Sequence, residues 1–374
     1  MGAASALRAG PRRDGGVVPA ERVVVASHQG ARSQLPGLHG RAVRQAGLMA
    51  TLRHAQGHGE RRRATILVTG AAGFVGSHLL ELLEQHSDDD IIAWLRPGTE
   101  PLVAGRRVMW LGVEMHDREA IAAALASAPP SQIYHLAGVP HVGDSWGYVH
   151  ETFAGNVLCT HHLFAALREL QLSPRVLVTS TAFVYQPQAR AIVESDTVRP
   201  NSPYGTSKVA QEMISVRAWQ DDGIPALIAR SFNHVGPRQS PAFVASSIAK
   251  QIAEIEAGQR PATLQMGNMD SQRDIMDVRD TVRAYHAMMA SATPGQPYNV
   301  CSGRPLPIRE LVDLMRSKAR VPITVEQDPA RFRPIDTPLV LGDHGRLTKD
   351  TGWTPSIPLE KTVEDLLSSW RQRP

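Results

Sequence analysis

A doubly wound parallel α/β fold with a smaller, discontinuous C-terminal lobe is predicted by three features of this sequence. A glycine-rich turn near residue 70 joins a short apolar strand to an amphipathic helix. Strand-like and helix-like runs then alternate as far as residue 232. Beyond that point the alternation loosens into Pro-rich connections with scattered cations. Strands that alternate with helices need crossover connections, and those build a parallel sheet. At 374 residues, 42% of them apolar, the chain is long enough for a large core. No apolar run approaches the ~20 residues that a membrane-spanning helix requires.

The first element is the most informative. Ile66-Leu67-Val68 reads as a buried strand, Gly70, Gly73 and Gly76 follow at G-x-x-G-x-x-G spacing, and Leu79, Leu80, Leu82 and Leu83 recur at helical spacing. The first glycine permits a tight turn, the second lets backbone approach a pyrophosphate, and the third lets helix pack on strand. The phosphates then sit at a helix N-terminus, where unpaired N–H groups and the helix dipole favour anions. Placed between a strand and a helix, this pattern predicts a dinucleotide site of the Rossmann type.

The next strand, "IIAWL", ends at Arg96, twenty residues after Gly76. An acid there would select NAD through the ribose hydroxyl, whereas an arginine pairs with a 2′-phosphate. NADPH is therefore the expected cofactor, with NADH as the alternative. "RVMWLGVEMHD" leads into an Ala-rich helix over 118–128 that Pro129-Pro130 stops. "QIYHLAG" and "RVLVTS" are the following strands, and their C-terminal ends face the same cleft as Gly70. The candidate cofactor contacts are Gly70, Gly73, Phe74, Val75, Gly76, Arg96, Asp117, Leu136, Ala137 and Gly138, joined by Tyr204 and Lys208.

Chemistry is expected from Thr181, Tyr204 and Lys208. In "NSPYGTSKVAQEM", Ser202 is a candidate N-cap and Pro203 suits a first helical turn. Tyr204 and Lys208 are four apart and share a helix face. A nearby ammonium stabilises a phenolate, so the lysine is expected to pull the tyrosine below its usual pKa of ~10. The tyrosine then serves as proton donor to a carbonyl under reduction. Thr181, at a strand end, adds a hydroxyl to the same oxygen.

Charge excludes other classes. Residues 1–63 hold eleven Arg, no Lys and three acids, a net of +8, so the total of +4 leaves −4 for the rest. A body of that charge is not a nucleic-acid binder. The first 63 residues read as a disordered or spurious extension, with Met49 as a later start, or alternatively as an Arg-rich transit peptide. Cys159 and Cys301 share no ligand spacing and read as thiols of a reducing, cytoplasmic compartment. No metal site is expected.

Taken in order, "TGAAGFVGSHL", "HLAG", "VGDSW", "SPYGTSK", "FNHVGPRQSPAFV", "RDIMDVRD", "YNVCSG", "RFRPID" and "GWTPSIPLE" make residues 64–374 resemble the extended short-chain dehydrogenase/reductases, the NAD-dependent epimerase/dehydratase family. Among these the GDP-sugar reductases are most similar. The resemblance implies NAD(P)H-dependent reduction of the C4 ketone of GDP-4-dehydro-6-deoxy-D-mannose to GDP-D-rhamnose. It implies a nucleotide-binding domain from 64–232 plus 272–300 and a sugar-binding lobe from 233–271 plus 301–374. Substrate contacts would come from His141, Asn233, Phe243, Val244, Lys250, Arg273 and Arg333. A homodimer through helices 151–170 and 204–222 would follow, with neither nucleic acid nor membrane as partner.

Two departures stand out. The sister dehydratases carry a glutamate for elimination where this chain has Phe183, and Val139-Pro140-His141 replaces a polar run near the sugar. The rival readings are a nucleotide-sugar 4-epimerase, a GDP-mannose 4,6-dehydratase and, outside enzymes, a non-catalytic dinucleotide sensor. Phe183 disfavours the dehydratase, Arg96 weighs against the epimerase, and the retained Tyr204–Lys208 pair weighs against the sensor.

Overall fold

The first strand, β1 (Thr65–Thr69), lies inside a seven-stranded parallel sheet of order β10-β6-β5-β4-β1-β2-β3. The structure is a computed structural model that describes residues 64–140, 142–331 and 337–373. The expectations for residues 1–63 fall outside that range.

The other strands of this sheet are β2 (Asp90–Leu95), β3 (Val108–Gly112), β4 (Gln132–His135), β5 (Arg175–Thr181), β6 (Ala226–Ser231) and β10 (Pro297–Val300). From β1 the chain runs outward through β2 to β3, then returns to place β4 on the other side of β1. That reversal is the switch point where open α/β sheets bind ligands. Helix α1 (Phe74–His86) covers one face by burying Leu79, Leu80 and Leu83 in a cluster with Val68, Tyr134 and Leu177. Helix α2 (Arg118–Ser127) covers the other face through Ile121 and Leu125. With it packs a long helical segment, α3 (Val149–Phe153), a π-type turn (Ala154–Leu158) and α4 (Cys159–Glu169). Helix α5 (Pro203–Asp222) starts as expected: Ser202 accepts the Gly205 N–H and Pro203 fills the first turn.

The remaining strands form two small sheets. Strand β9 (Gln272–Asp277) pairs with β7 (Asn233–Val235), β11 (Pro305–Pro307) and β13 (Leu339–Val340), and β8 (Thr263–Met266) pairs with β12 (Thr324–Gln327). Helices α6 (Val244–Glu256), α8 (Ile308–Ser317) and α9 (Leu359–Arg371) enclose a separate apolar cluster around Ile248, Ile252, Leu311 and Leu366. The segment 272–277, expected with the nucleotide-binding sheet, is therefore part of the smaller sheet. The chain rejoins the larger core with Met276 at the end of β9, then α7 (Val278–Ser291) and β10.

The run "RDIMDVRD" gains a structural meaning here. Asp274 accepts hydrogen bonds from Ser302 N, Gly303 N and Gly342 N, Asp277 caps α7 and accepts from Thr362, and Asp280 accepts from Ser356 N and Ile357 N. Three buried carboxylates thus staple the C-terminal segments to the β9–α7 junction, each satisfied several times over, as a buried charge requires. Among the described residues no helix is long and apolar enough to cross a membrane.

Candidate active site

Gly70 leaves β1 at φ +66, a left-handed conformation that favours glycine. A β-carbon there would lie 2.7 Å from Ala137 N, and one on Gly76 would lie 2.6 Å from Gly70 O. The turn is thus pinched between β4 and its own helix, and the N-terminus of α1 opens into a cleft of about 900 Å³. Gly70, Gly73, Phe74, Val75, Gly76, Arg96, Leu136, Ala137 and Gly138 all line that cleft.

The far strand end carries the candidate reactive groups. Thr181 and Tyr204, 5% and 8% exposed, both line the cleft. Burial pushes the Tyr204 phenol up to about 12, partly offset by its hydrogen bond with Thr181. Burial also pulls the Lys208 ammonium down to about 8, with Glu212 opposing. The expected lowering of the phenol by the lysine is therefore corrected. Lys208 Nζ stands 5.9 Å from the Tyr204 ring centroid, and burial sets the direction of the phenol's shift. Lys208 does not itself line the cleft; it donates to Thr179 O at 3.0 Å and Gln211 Oε1 at 2.9 Å.

A buried network holds this pair. Thr160 donates to Asn156 O, so its oxygen accepts from His135 Nε2 at 3.0 Å. His135 Nδ1 is then the acceptor for Thr69 Oγ1 at 2.8 Å, which fixes a neutral tautomer; burial drives this histidine down to about 3. Asn156, inside the π turn, donates to Ser207 Oγ and accepts from Val139 N, tying the Tyr204 helix to the segment after β4. Glu212 receives Arg230 through both oxygens, at 2.9 and 2.7 Å, and also accepts from Ser180 Oγ.

Outside the cleft lining, Arg238 joins α1 to the segment after β7. It donates to both oxygens of Glu81 and to His78 Nδ1, from a backbone held at φ +73. Phe74 stacks on His234 with centroids 5.9 Å apart.

Comparison with known proteins then assigns the family. A family profile described as GDP-mannose 4,6 dehydratase matches residues 67–366. The chain belongs to the GDP-mannose 4,6-dehydratase family. The GDP-6-deoxy-D-mannose reductase of Pseudomonas aeruginosa is 33% identical over 316 residues, 82% of this chain and 97% of that protein. A GDP-mannose 4,6-dehydratase of Vibrio cholerae is 27% identical, covering 68% of this chain and 77% of that protein. Among solved structures, RMD from Pseudomonas aeruginosa complexed with NADPH superposes with a TM-score of 0.73 at 32% identity, covering 82% of this chain and 99% of that one.

For a member of the GDP-mannose 4,6-dehydratase family, the candidate substrate residues sort into three groups. Asn233, Phe243, Val244 and Arg273 line the same cleft as the glycine turn. Lys250 does not; it pairs with Glu254 one turn on. His141 and Arg333 lie outside the described residues. Asp117 is also corrected: its carboxylate caps α2 by accepting Ala120 N, and the residues before it, Glu114, Met115 and His116, line the cleft instead. Strand β3 ends at Gly112, so the next few residues reach the cleft before an Asp at N-cap position starts the helix. Asn156, Gln211 and Arg230 were not anticipated. No short-range pattern marks Asn156, whereas Glu212, four residues after Lys208, was readable as a helix-face partner.

Proposed function

We propose that this chain reduces the C4 ketone of GDP-4-dehydro-6-deoxy-D-mannose to GDP-D-rhamnose with NADPH. The carrying observation is a neutral phenol, Tyr204, beside Thr181 with an apolar Phe183 as their neighbour on the cleft wall. Among the described residues lining the cleft, the single carboxylate is Glu114, which feels the charge of Arg96 at the cofactor end. The 33% identity to a reductase over nearly its full length supports the same reading.

The residues fit the cofactor. The pinched glycine turn offers backbone N–H groups to a pyrophosphate, and Arg96 stands at the end of β2, where a 2′-phosphate would be read. NADPH bound there supplies the hydride to C4. Thr181 and Tyr204 orient the carbonyl oxygen by hydrogen bonding, and Tyr204 passes its phenolic proton to that oxygen as negative charge develops. Lys208 stays protonated below its pKa of about 8 and stabilises the resulting phenolate. Elimination would need a group to take the C5 proton, and a phenyl ring has none to offer. Asn233 and Arg273 face the diphosphate, and Phe243 and Val244 the guanine, of the GDP-sugar. The protein acts in the cytoplasm as a homodimer. Leu158 and Met213, 46% and 65% exposed on the two central helices, support that pairing, and the two unpaired buried cysteines fit a reducing compartment.

The experiment is an incubation of the purified chain with NADPH and GDP-4-dehydro-6-deoxymannose, following loss of NADPH absorbance and identifying the product sugar by NMR. Dehydration of GDP-mannose by the chain alone would contradict the reading. Two further outcomes are expected. The reductive kcat should fall as pH rises through about 8, because Lys208 loses its charge there while Tyr204 keeps its proton to about 12; a profile flat to pH 10 would remove Lys208 from the mechanism. The sign for stability is opposite. Between about 8 and 10.5 the unfolded lysine still holds the proton that the folded one has lost, so stability gains from this group as pH rises. Secondly, Arg96→Ala should raise the KM for NADPH about 10- to 100-fold, the loss of a charge-assisted contact, and leave the KM for NADH nearly unchanged.

A further inference from the structure

Lys208 is held behind the cleft wall by two oxygens that carry no charge. Its Nζ donates to the Thr179 carbonyl within β5, at 3.0 Å, and to Gln211 Oε1, at 2.9 Å. A β-carbon on Gly138, which lines the cleft, would lie 3.6 Å from this Nζ, so the ammonium stands directly behind the wall. Gln211 is wholly buried and follows Lys208 on α5 at a spacing that lets two side chains of a helix meet.

The contact orients the Gln211 amide. An ammonium only donates, so the amide must turn its oxygen to Lys208. Its Nε2 is then left inside the protein without an acceptor among the described residues. Buried donors are seldom left unpaired, because they have given up water and gained nothing. A glutamate of the same shape has no donor to strand, and neither has a methionine. Glutamine is thus the poorer choice for packing, and what it offers in return is an acceptor without charge.

The charged and titratable groups that face Lys208 leave this role to Gln211. Glu212, next on the same helix, has both oxygens on Arg230 of β6. His135, at the end of β4, is neutral, and Tyr204, one turn back, keeps its phenolic proton. Among the side chains of the described residues, Gln211 is the one that accepts from Nζ.

We propose that Gln211 is a positioning residue for Lys208, and that by anchoring the ammonium on a neutral oxygen it sets the alkaline limit of the reaction. The proposal rests on the reading of this chain as a reductase and adds to it the residue that controls its lysine. A carboxylate at this place would hold the charge on Lys208 to higher pH. An apolar side chain would remove a hydrogen bond that favours the charged form, and the charge would be lost at lower pH.

The test compares the full chain with Gln211→Glu and Gln211→Met, thermal melting showing that the variants are folded. One readout is the pH profile of kcat for NADPH oxidation with GDP-4-dehydro-6-deoxymannose. The other needs no substrate: NMR titration of the lysine Cε resonances, of which the chain has five, with Lys208 assigned by its loss in Lys208→Met. Gln211→Glu should move both titrations upward by about one pH unit or more, and Gln211→Met should move both downward by a similar amount. Should the buried carboxylate prevent folding, Gln211→Met decides by itself. Titrations that stay in place, or that move the same way in both variants, would overturn the proposal, because a residue that only packs has no reason to act with opposite signs. A Lys208 resonance that moves while the kcat limb stays would overturn it too. A resonance that moves as expected in a chain that oxidises no NADPH would keep the anchoring and overturn the reductase reading.

Discussion

Tyr204→Phe is expected to lower kcat by about 10²- to 10⁴-fold, the range a positioned general acid contributes, while leaving NADPH affinity little changed. Among the described residues lining the cleft, the Tyr204 phenol is the acid that burial keeps neutral at pH 7 and that interacts with the strand-end hydroxyl of Thr181. Phenylalanine keeps the ring packing of a side chain that is 8% exposed, so the fold should survive. The variant loses the proton that the developing alkoxide needs. Single-turnover loss of NADPH absorbance, with cofactor affinity measured by fluorescence titration, separates the two effects. An unchanged kcat would mean that the proton comes from another group, and loss of cofactor affinity would mean that the hydroxyl is a binding group first.

The second large effect concerns stability. Glu212→Gln should destabilise the protein by about 3–5 kcal/mol, because it leaves the Arg230 guanidinium buried beside a neutral amide. Glu212 and Arg230 side chains are 8% and 7% exposed, their contact is bidentate, and the guanidinium also lies 4.7 Å from the Tyr185 ring centroid. A buried pair contributes little net stability when replaced whole by apolar residues of similar size, yet breaking it from one side is costly. The double variant Glu212→Leu/Arg230→Met should therefore lose less stability than Glu212→Gln. Urea denaturation of the three proteins checks the order; additive losses would show that the two groups do not act as a pair. Glu212→Gln should in addition move the pH dependence of kcat downward, since Glu212 is what opposes the fall of the Lys208 pKa.

These residues mark the boundary of what the sequence made legible. The dinucleotide turn could be read because its constraint is local: three glycines within seven residues, of which Gly70 and Gly76 leave a β-carbon only 2.7 and 2.6 Å from neighbouring backbone. The start of α5 was legible for the same reason, since Ser202 and Pro203 act within one turn. The direction of the Tyr204 pKa was not. It depends on how much protein covers the ring, which is a property of tertiary packing, and the local rule that a lysine acidifies a nearby phenol lost to burial. Asn156 illustrates the same limit. Its partners Val139 and Ser207 are 17 and 51 residues away in sequence, and only a π turn in the intervening helix points its amide at both. Asp117 and Lys250 erred in the other direction: each has the right chemistry for a ligand, but a helix N-terminus and a glutamate one turn away satisfy them first. Strand β9 was misassigned because its short Ile275-Met276 pair says that it is buried without saying in which sheet.

Phe183 links the chemistry of the site to its shape. As a chemical group it removes the base that elimination would use. On the proposed reading, it would leave Thr181 and Tyr204 to act on the ketone oxygen, with Lys208 buried behind them at a pKa of about 8.

The most direct measurement is isotopic. The protein, GDP-4-dehydro-6-deoxymannose and NADPH deuterated at the transferable position of the nicotinamide are combined in ordinary water, and the product sugar is read by NMR. The expected result is deuterium at C4 of a GDP-6-deoxyhexose, one atom per NADPH consumed, with protium at C5. Deuterium absent from C4, or incorporation of solvent deuterium at C5 when GDP-mannose is offered in heavy water, would contradict it, because solvent hydrogen at C5 belongs to elimination.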